Sequence, residues 1–186
     1  MASRVSSPVL VGRADELAEL VVAMTQARGG APGLVLVGGE AGVGKSRLVA
    51  ELSAYASADG DQILAGQCVG FEEATIPLLP VIDALRGLDD GAQDLLEIRL
   101  APASAEGPPA GLHPLVLDRL AAAAAAAPIL LVVEDVHWAD RSTLELLAYL
   151  ARRLRDERVL VVATYRSDEV DRNERLRRFL DRKSVV

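Results

Sequence analysis

Aromatic residues are scarce in this chain: they make up 3% of 186 positions, against 51% that are hydrophobic. A core built from such a sequence is aliphatic, made of Leu, Val, Ile and much Ala. Cysteine occurs once, as Cys68. That excludes an intramolecular disulfide and a cysteine-based metal cluster, and a reducing cytoplasm is the natural setting. Cys68 lies in the run Ile63–Val69, which favours a buried small hydrophobe over a reactive thiol. Lysine is nearly missing too, occurring only as Lys45 and Lys183. The net charge of −7 argues against a nucleic-acid surface, which needs clustered Lys and Arg. The basic concentration at 172–183 is broken by Glu174 and Asp181 and preceded by Asp171. It reads first as a solvated helix face and second as a partner surface. No long apolar run is present: Leu120–Val133 is interrupted by Pro128 and too short to span a bilayer. Residues 1–8 are short and polar, without the pattern of a signal peptide, and read as a disordered start. A soluble, cytoplasmic protein is expected, with no membrane contact.

What the sequence does contain is an alternation of two periodicities. Helical spacing marks Asp15–Gln26, with Leu17, Leu20, Val21 and Met24 three or four apart. Strand-like apolar runs follow at Gly33–Val37, Gln62–Val69, Ile129–Val133 and Val159–Ala163. Between them helices are predicted from Ser46 to about Ala58, through Val81, Leu85 and Leu88, and over Leu115–Ala127. The alanine run of the last combines high helix propensity with little bulk and reads as filler packed close to a sheet. Another helix begins near Asp140 or Ser142, with a possible capping box Ser142-x-x-Glu145 and an inward face of Leu144, Leu147, Leu150 and Leu154. Glu174–Arg182 closes the series. Residues 87–114, rich in Gly, Pro, Ala and Asp, are expected to hold short helices and a mobile loop around Ala101–Pro109. Alternating strands and helices, with a third strand apolar throughout, imply an α/β fold with a parallel sheet.

The most specific motif is Gly39-Glu40-Ala41-Gly42-Val43-Gly44-Lys45-Ser46, which fits G-x-x-x-x-G-K-[ST]. It follows an apolar strand and opens a helix whose Leu48, Val49 and Leu52 share a face. That arrangement aims several backbone N–H groups at one point, with the positive end of the helix dipole behind them. Lys45 adds a charge for the β/γ-phosphates, and the Ser46 hydroxyl can ligate magnesium. The bland alternative is a glycine-rich turn in an ordinary α/β protein.

A second acidic site points to hydrolysis or switching. Glu134 and Asp135 end the apolar strand Ile129–Val133, at the sheet edge where open α/β proteins bind ligands. Glu134 is assigned to organising magnesium through water, and Asp135 to orienting or deprotonating the attacking water; two solvated acids starting a loop are the competing reading. Arg166 follows the fourth strand. If that strand lies between the first and the third, its guanidinium can reach the γ-phosphate and distinguish triphosphate from diphosphate. A surface ion pair with Asp168 or Glu169 is the alternative. His137 reads as packing rather than a ligand, since no second His lies within ligand spacing, and Trp138 as an anchor of its loop against the following helix.

Taken in order, Val11-Gly12-Arg13-Ala14-Asp15-Glu16-Leu17, the phosphate loop, Val132-Val133-Glu134-Asp135-Val136-His137-Trp138-Ala139-Asp140 and Ala163-Thr164-Tyr165-Arg166-Ser167-Asp168-Glu169 resemble the ATPase domain of large LuxR-type bacterial transcriptional regulators. This is the STAND branch of AAA-like P-loop NTPases, and the same domain precedes some bacterial adenylate cyclases and protein kinases. The resemblance covers about residues 8–178. It implies a three-layer core with strand order 5-1-4-3-2, here lacking strand 5 or holding only its start in Ser184-Val185-Val186. It further implies that Val11 and Gly12 line an adenine pocket beside Arg13, and that residues 39–47, ending in Arg47, cradle the phosphates. Lys45 and Ser46 then serve phosphate and magnesium, Glu134 and Asp135 form the acidic pair, and Arg166 is the phosphate sensor. Glu134 departs from the family, in which Asp is frequent at that position. The family's lid, sensor repeats and DNA-binding domain have no counterpart, so residues 9–186 are expected to be a truncated nucleotide-binding core.

The function expected is an ATP- and magnesium-dependent switch that hydrolyses slowly to ADP, with the bound state governing self-association of the parent protein. A P-loop kinase is the alternative from a different class. It needs an acceptor pocket, which the Glu72–Pro80 loop could shape, and a basic lid, which is not apparent. An inert relative that only packs against partners is the third reading.

Overall fold

The computed structural model describes residues 12–70, 77–88 and 111–181. The predicted N-terminal disorder at 1–8, Val11, Glu72, Glu73, Thr75, the loop at 101–109 and Ser184–Val186 lie outside the described residues.

Helix α1 (Ala14–Arg28) leads to strand β1 (Gly33–Gly39), α2 (Lys45–Ala58) and β2 (Gln62–Gln67). Then come α3 (Leu79–Leu85), α4 (Leu112–Ala126), β3 (Ile129–Glu134), α5 (Arg141–Arg153), β4 (Val159–Arg166) and α6 (Glu174–Asp181). Short 3-10 turns at Val136–Trp138 and Ser167–Glu169 follow β3 and β4. All pairings are parallel, in the order β1-β4-β3-β2. Among the described residues this is the 1-4-3-2 part of the expected order.

Alternation along the strands builds three layers, because successive side chains of a strand point to opposite faces. Leu130, Val132, Leu160 and Val162 pack with Leu20 and Met24 of α1 and Leu48, Val49 and Leu52 of α2. Ile129, Leu131, Val133, Val159, Val161 and Ala163 pack against α3 to α6 on the other face. The central strands β3 and β4 are thus covered on both sides, as their unbroken apolar sequences require. In β1, by contrast, Leu34, Val35 and Leu36 are only half-buried, since β1 is the edge of the described sheet.

Three details depart from expectation. β2 ends at Gln67 rather than Val69. Asp140 is the N-cap of α5, its carboxylate accepting from the Thr143 N–H at 3.1 Å. The capping box on Ser142 therefore does not form; Glu145 pairs instead with Arg141 one turn back. In α4 the buried stripe is Leu112, Val116, Leu120 and Ala124, while Ala122, Ala125 and Ala126 are exposed. Only Ala124 of the alanine run is buried, and the run's C-terminal carbonyls at Ala124 and Ala125 are capped by the Arg158 guanidinium, as favoured at a helix C-terminus. Cys68, as expected, is buried, and burial pushes its thiol up to about 12.

Candidate functional site

The loop between β1 and α2 turns through two left-handed glycines, Gly42 (φ 79°) and Gly44 (φ 92°, the N-cap of α2). A side chain at either would strain the backbone. Glu40, Ala41, Gly42 and Val43 are exposed at the crest. The α2 N-terminus has no side-chain cap, so its first N–H groups are left for solvent or an anion. Lys45 begins that helix and is 8% exposed. Its Nζ donates to the Gly39 and Glu40 carbonyls, both at 2.8 Å, folding the ammonium back onto the loop. Burial pushes the Lys45 pKa below its ordinary value; the Asp135 charge opposes that, and the charges of Arg166 and Arg13 reinforce it. A buried cation whose hydrogen-bond partners among the described residues are backbone carbonyls, beside an uncapped helix start, fits a bound phosphate.

The acidic pair meets this loop directly. Ser46, the second residue of α2, donates its hydroxyl to Glu134 Oε2 at 2.5 Å, so the elements carrying the two motifs converge at the C-terminal edge of β3. A hydroxyl and one carboxylate side by side suit magnesium, which keeps several waters and takes only one or two protein carboxylates beside phosphate oxygens. Among the described residues no cluster of three or more His, Cys, Asp or Glu could hold a metal by itself.

Asp135 is held differently. It is a non-glycine residue in the left-handed region, φ 59°, and its N–H donates to the Thr164 hydroxyl at 3.0 Å. Its Oδ2 accepts from Gln67 Nε2 at 3.1 Å. Thr164 is 1% exposed. The sequence singled out neither residue for this duty. A signal existed: both stand at the C-terminal ends of the strands flanking β3, and Gln67 is in register with Glu134.

Arg166 ends β4, which does lie between β1 and β3, and it stands in register with Gly39 at the start of the phosphate loop. Among the described residues no ion pair joins it to Asp168 or Glu169. Its charge reaches both Lys45 and His137. Gly12 is exposed and Arg13 half-buried, within electrostatic reach of Lys45. Arg47 pairs with Glu51 one turn along α2.

His137 is buried, as expected for packing. Trp138 differs from expectation. It is 48% exposed, and its indole covers Gly70, where a Cβ would stand 2.7 Å from the ring. It thus braces the segment after β2, which Asp140 also tethers: the Leu78 N–H donates to the Asp140 carboxylate at 3.1 Å.

Comparison with known proteins fits this geometry. The AAA ATPase domain profile matches residues 9–162. An uncharacterised protein of Rhizobium meliloti (strain 1021) is 30% identical over 189 residues, covering 84% of this chain and 18% of that protein. The chain therefore spans about a fifth of that relative's length. Among solved structures, Cdc6p from Pyrobaculum aerophilum shares the fold, with a TM-score of 0.60 at 14% identity over 96% of this chain and 46% of that one. A Drosophila ORC structure bound to GC-rich DNA and Cdc6 aligns with a TM-score of 0.48 at 15% identity, over 95% of this chain and 60% of that one. Matched over most of its length, with a phosphate loop and an acidic strand end in contact, the chain belongs to the AAA ATPase domain family.

Proposed function

We propose that this chain is the ATP-dependent switch module of a larger bacterial regulator of the LuxR type, binding ATP with magnesium and hydrolysing it slowly. The observation that carries the reading is the Ser46–Glu134 hydrogen bond, which joins the phosphate loop to the acidic strand end. In this reading the α2 N-terminus and Lys45 hold the β- and γ-phosphates, and Lys45 exchanges its backbone carbonyl partners for phosphate oxygens. Ser46 and Glu134 would hold magnesium, Glu134 through water, and the ion would supply neutralisation of charge that develops on the phosphates. Asp135, fixed by Thr164 and Gln67, orients the attacking water and accepts its proton. Arg166, beside Gly39, loses its partner when the γ-phosphate leaves, and that loss tells the ATP state from the ADP state. Val11, Gly12 and Arg13 serve the adenine.

Slow turnover is expected in this reading because no arginine finger is identifiable among the described residues; one supplied in trans can raise such rates by ~10³–10⁵. The nucleotide state then governs self-association of the parent protein. The module makes no direct contact with nucleic acid, in keeping with its net charge of −7. Among the described residues no helix is long and apolar enough to cross a membrane.

The test is nucleotide titration together with phosphate release. Wild type binds ATP and ADP and releases phosphate slowly without any acceptor. Asp135→Asn keeps binding and loses release, and Arg166→Ala binds ATP and ADP alike. A wild-type protein that binds no nucleotide overturns the reading; release that requires a small-molecule acceptor makes the chain a kinase instead.

A further inference from the structure

The acidic end of β3 carries one buried polar group that nothing above explains. The His137 side chain is 1% exposed, and among the described residues neither ring nitrogen has a hydrogen-bond partner. A buried unsatisfied donor or acceptor costs about 1–3 kcal/mol, and such groups call for a specific explanation. Packing alone does not require an imidazole here, since an apolar ring would fill the space without that penalty. The backbone holds the ring firmly: the His137 carbonyl accepts from Asn173 Nδ2 at 3.0 Å, pinning the 3-10 turn to the segment before α6. Burial also disfavours the imidazolium, so the ring has one N–H to give.

What Nδ1 faces is Asp135 Oδ1, at 3.9 Å, roughly 1 Å beyond hydrogen-bond length. The other oxygen of that carboxylate is already held by Gln67. The two polar side chains therefore bracket one carboxylate from either side, with one bracket closed and the other open. We propose that His137 is a positioning residue for Asp135, its neutral imidazole donating Nδ1–H to Oδ1 once a nucleoside triphosphate occupies the site. Closing that bond satisfies the buried ring and fixes the rotation of the carboxylate, leaving its remaining lone pairs directed at the attacking water. Occupancy draws Lys45 off the Gly39 and Glu40 carbonyls and changes the field at Asp135, which Lys45 and His137 both feel. The inference rests on the ATP-hydrolysing reading above and adds to it a residue and a step of assembly.

With only His113 and His137 in the chain, the imidazoles can be followed one at a time by 1H–15N correlation in the intact protein. Adding magnesium and a non-hydrolysable ATP analogue, with binding measured in parallel by calorimetry, should convert His137 to a single Nδ1–H tautomer with a protected, downfield proton. Asp135→Asn should abolish that change. In kinetics, His137→Phe fills the space without a donor and should lower kcat at least tenfold with KM for ATP within twofold. His137→Asn, whose Nδ2–H stands where Nδ1–H stood, should recover most of the rate; His137→Gln, whose donor lies at the other ring position, should not. If the analogue binds and the His137 resonances do not respond, or if His137→Phe turns over like wild type, the positioning role is wrong while the switch reading stands. If the analogue does not bind, the switch reading fails first and this role falls with it.

Discussion

Thr164 shows most clearly how single residues set up the site. Thr164 is 1% exposed, and its hydroxyl is the acceptor for the N–H of Asp135, a residue whose left-handed backbone is unfavourable without glycine. Thr164→Val keeps the shape and removes the acceptor, so it should cost about 1–3 kcal/mol of stability and slow phosphate release while ATP affinity changes little. Chemical denaturation and a single-turnover assay read the two effects; an unchanged release rate would mean that the bond does not matter to Asp135. Cys68 offers a pH test. Its folded pKa of about 12 lies above the ordinary thiol value of 9.0, because burial disfavours the thiolate. A raised pKa stabilises the folded state fully below about 9 and loses that contribution as pH climbs from 9 towards 12. At pH 8 the native protein should therefore resist a thiol reagent that labels the urea-unfolded chain once per molecule. Rapid native labelling would contradict the burial.

Among the elements, the connection from β3 into α5 does the most joining. Asp140 caps α5 through the Thr143 N–H and also receives the Leu78 N–H at the start of α3. Leu78 is itself in the left-handed region, φ 63°. Asp140→Ala should lose about 0.5–2 kcal/mol for the cap and more for the orphaned Leu78 N–H; Asp140→Asn should recover part of it. Melting curves of the two variants decide this, and equal melting temperatures would show that the tether is idle. The same connection shows what was legible beforehand. The strand, the acidic pair and the inward leucines of α5 were readable, because periodicity and strand-end carboxylates are local signals. Their partners were not. Gln67, Thr164 and Leu78 lie 68, 29 and 62 residues from the atoms they bond, and register between strands distant in sequence cannot be read from spacing. The cover that Trp138 gives Gly70 was hidden for the same reason, since Gly70 follows a strand distant in sequence.

At the level of the whole molecule, the order β1-β4-β3-β2 brings the phosphate loop, the acidic pair, Arg166 and Gln67 to one edge of one sheet. The alternation of elements foretold this α/β class and its parallel pairing. It could not foretell how closely the edge closes, which depends on Ser46 reaching Glu134 from a different strand–helix unit. In the proposed reading this edge is a magnesium-dependent nucleotide site in which the two motifs act together. Isothermal titration calorimetry of the 186-residue chain with ATP, with and without magnesium, tests it most directly, using wild type, Lys45→Ala and Glu134→Gln. Wild type should bind ATP more tightly with magnesium. Lys45→Ala should lose at least tenfold in affinity, about 1.4 kcal/mol, and binding by Glu134→Gln should no longer respond to magnesium. Binding that ignores magnesium in wild type, or a magnesium response that survives in Glu134→Gln, would contradict that reading.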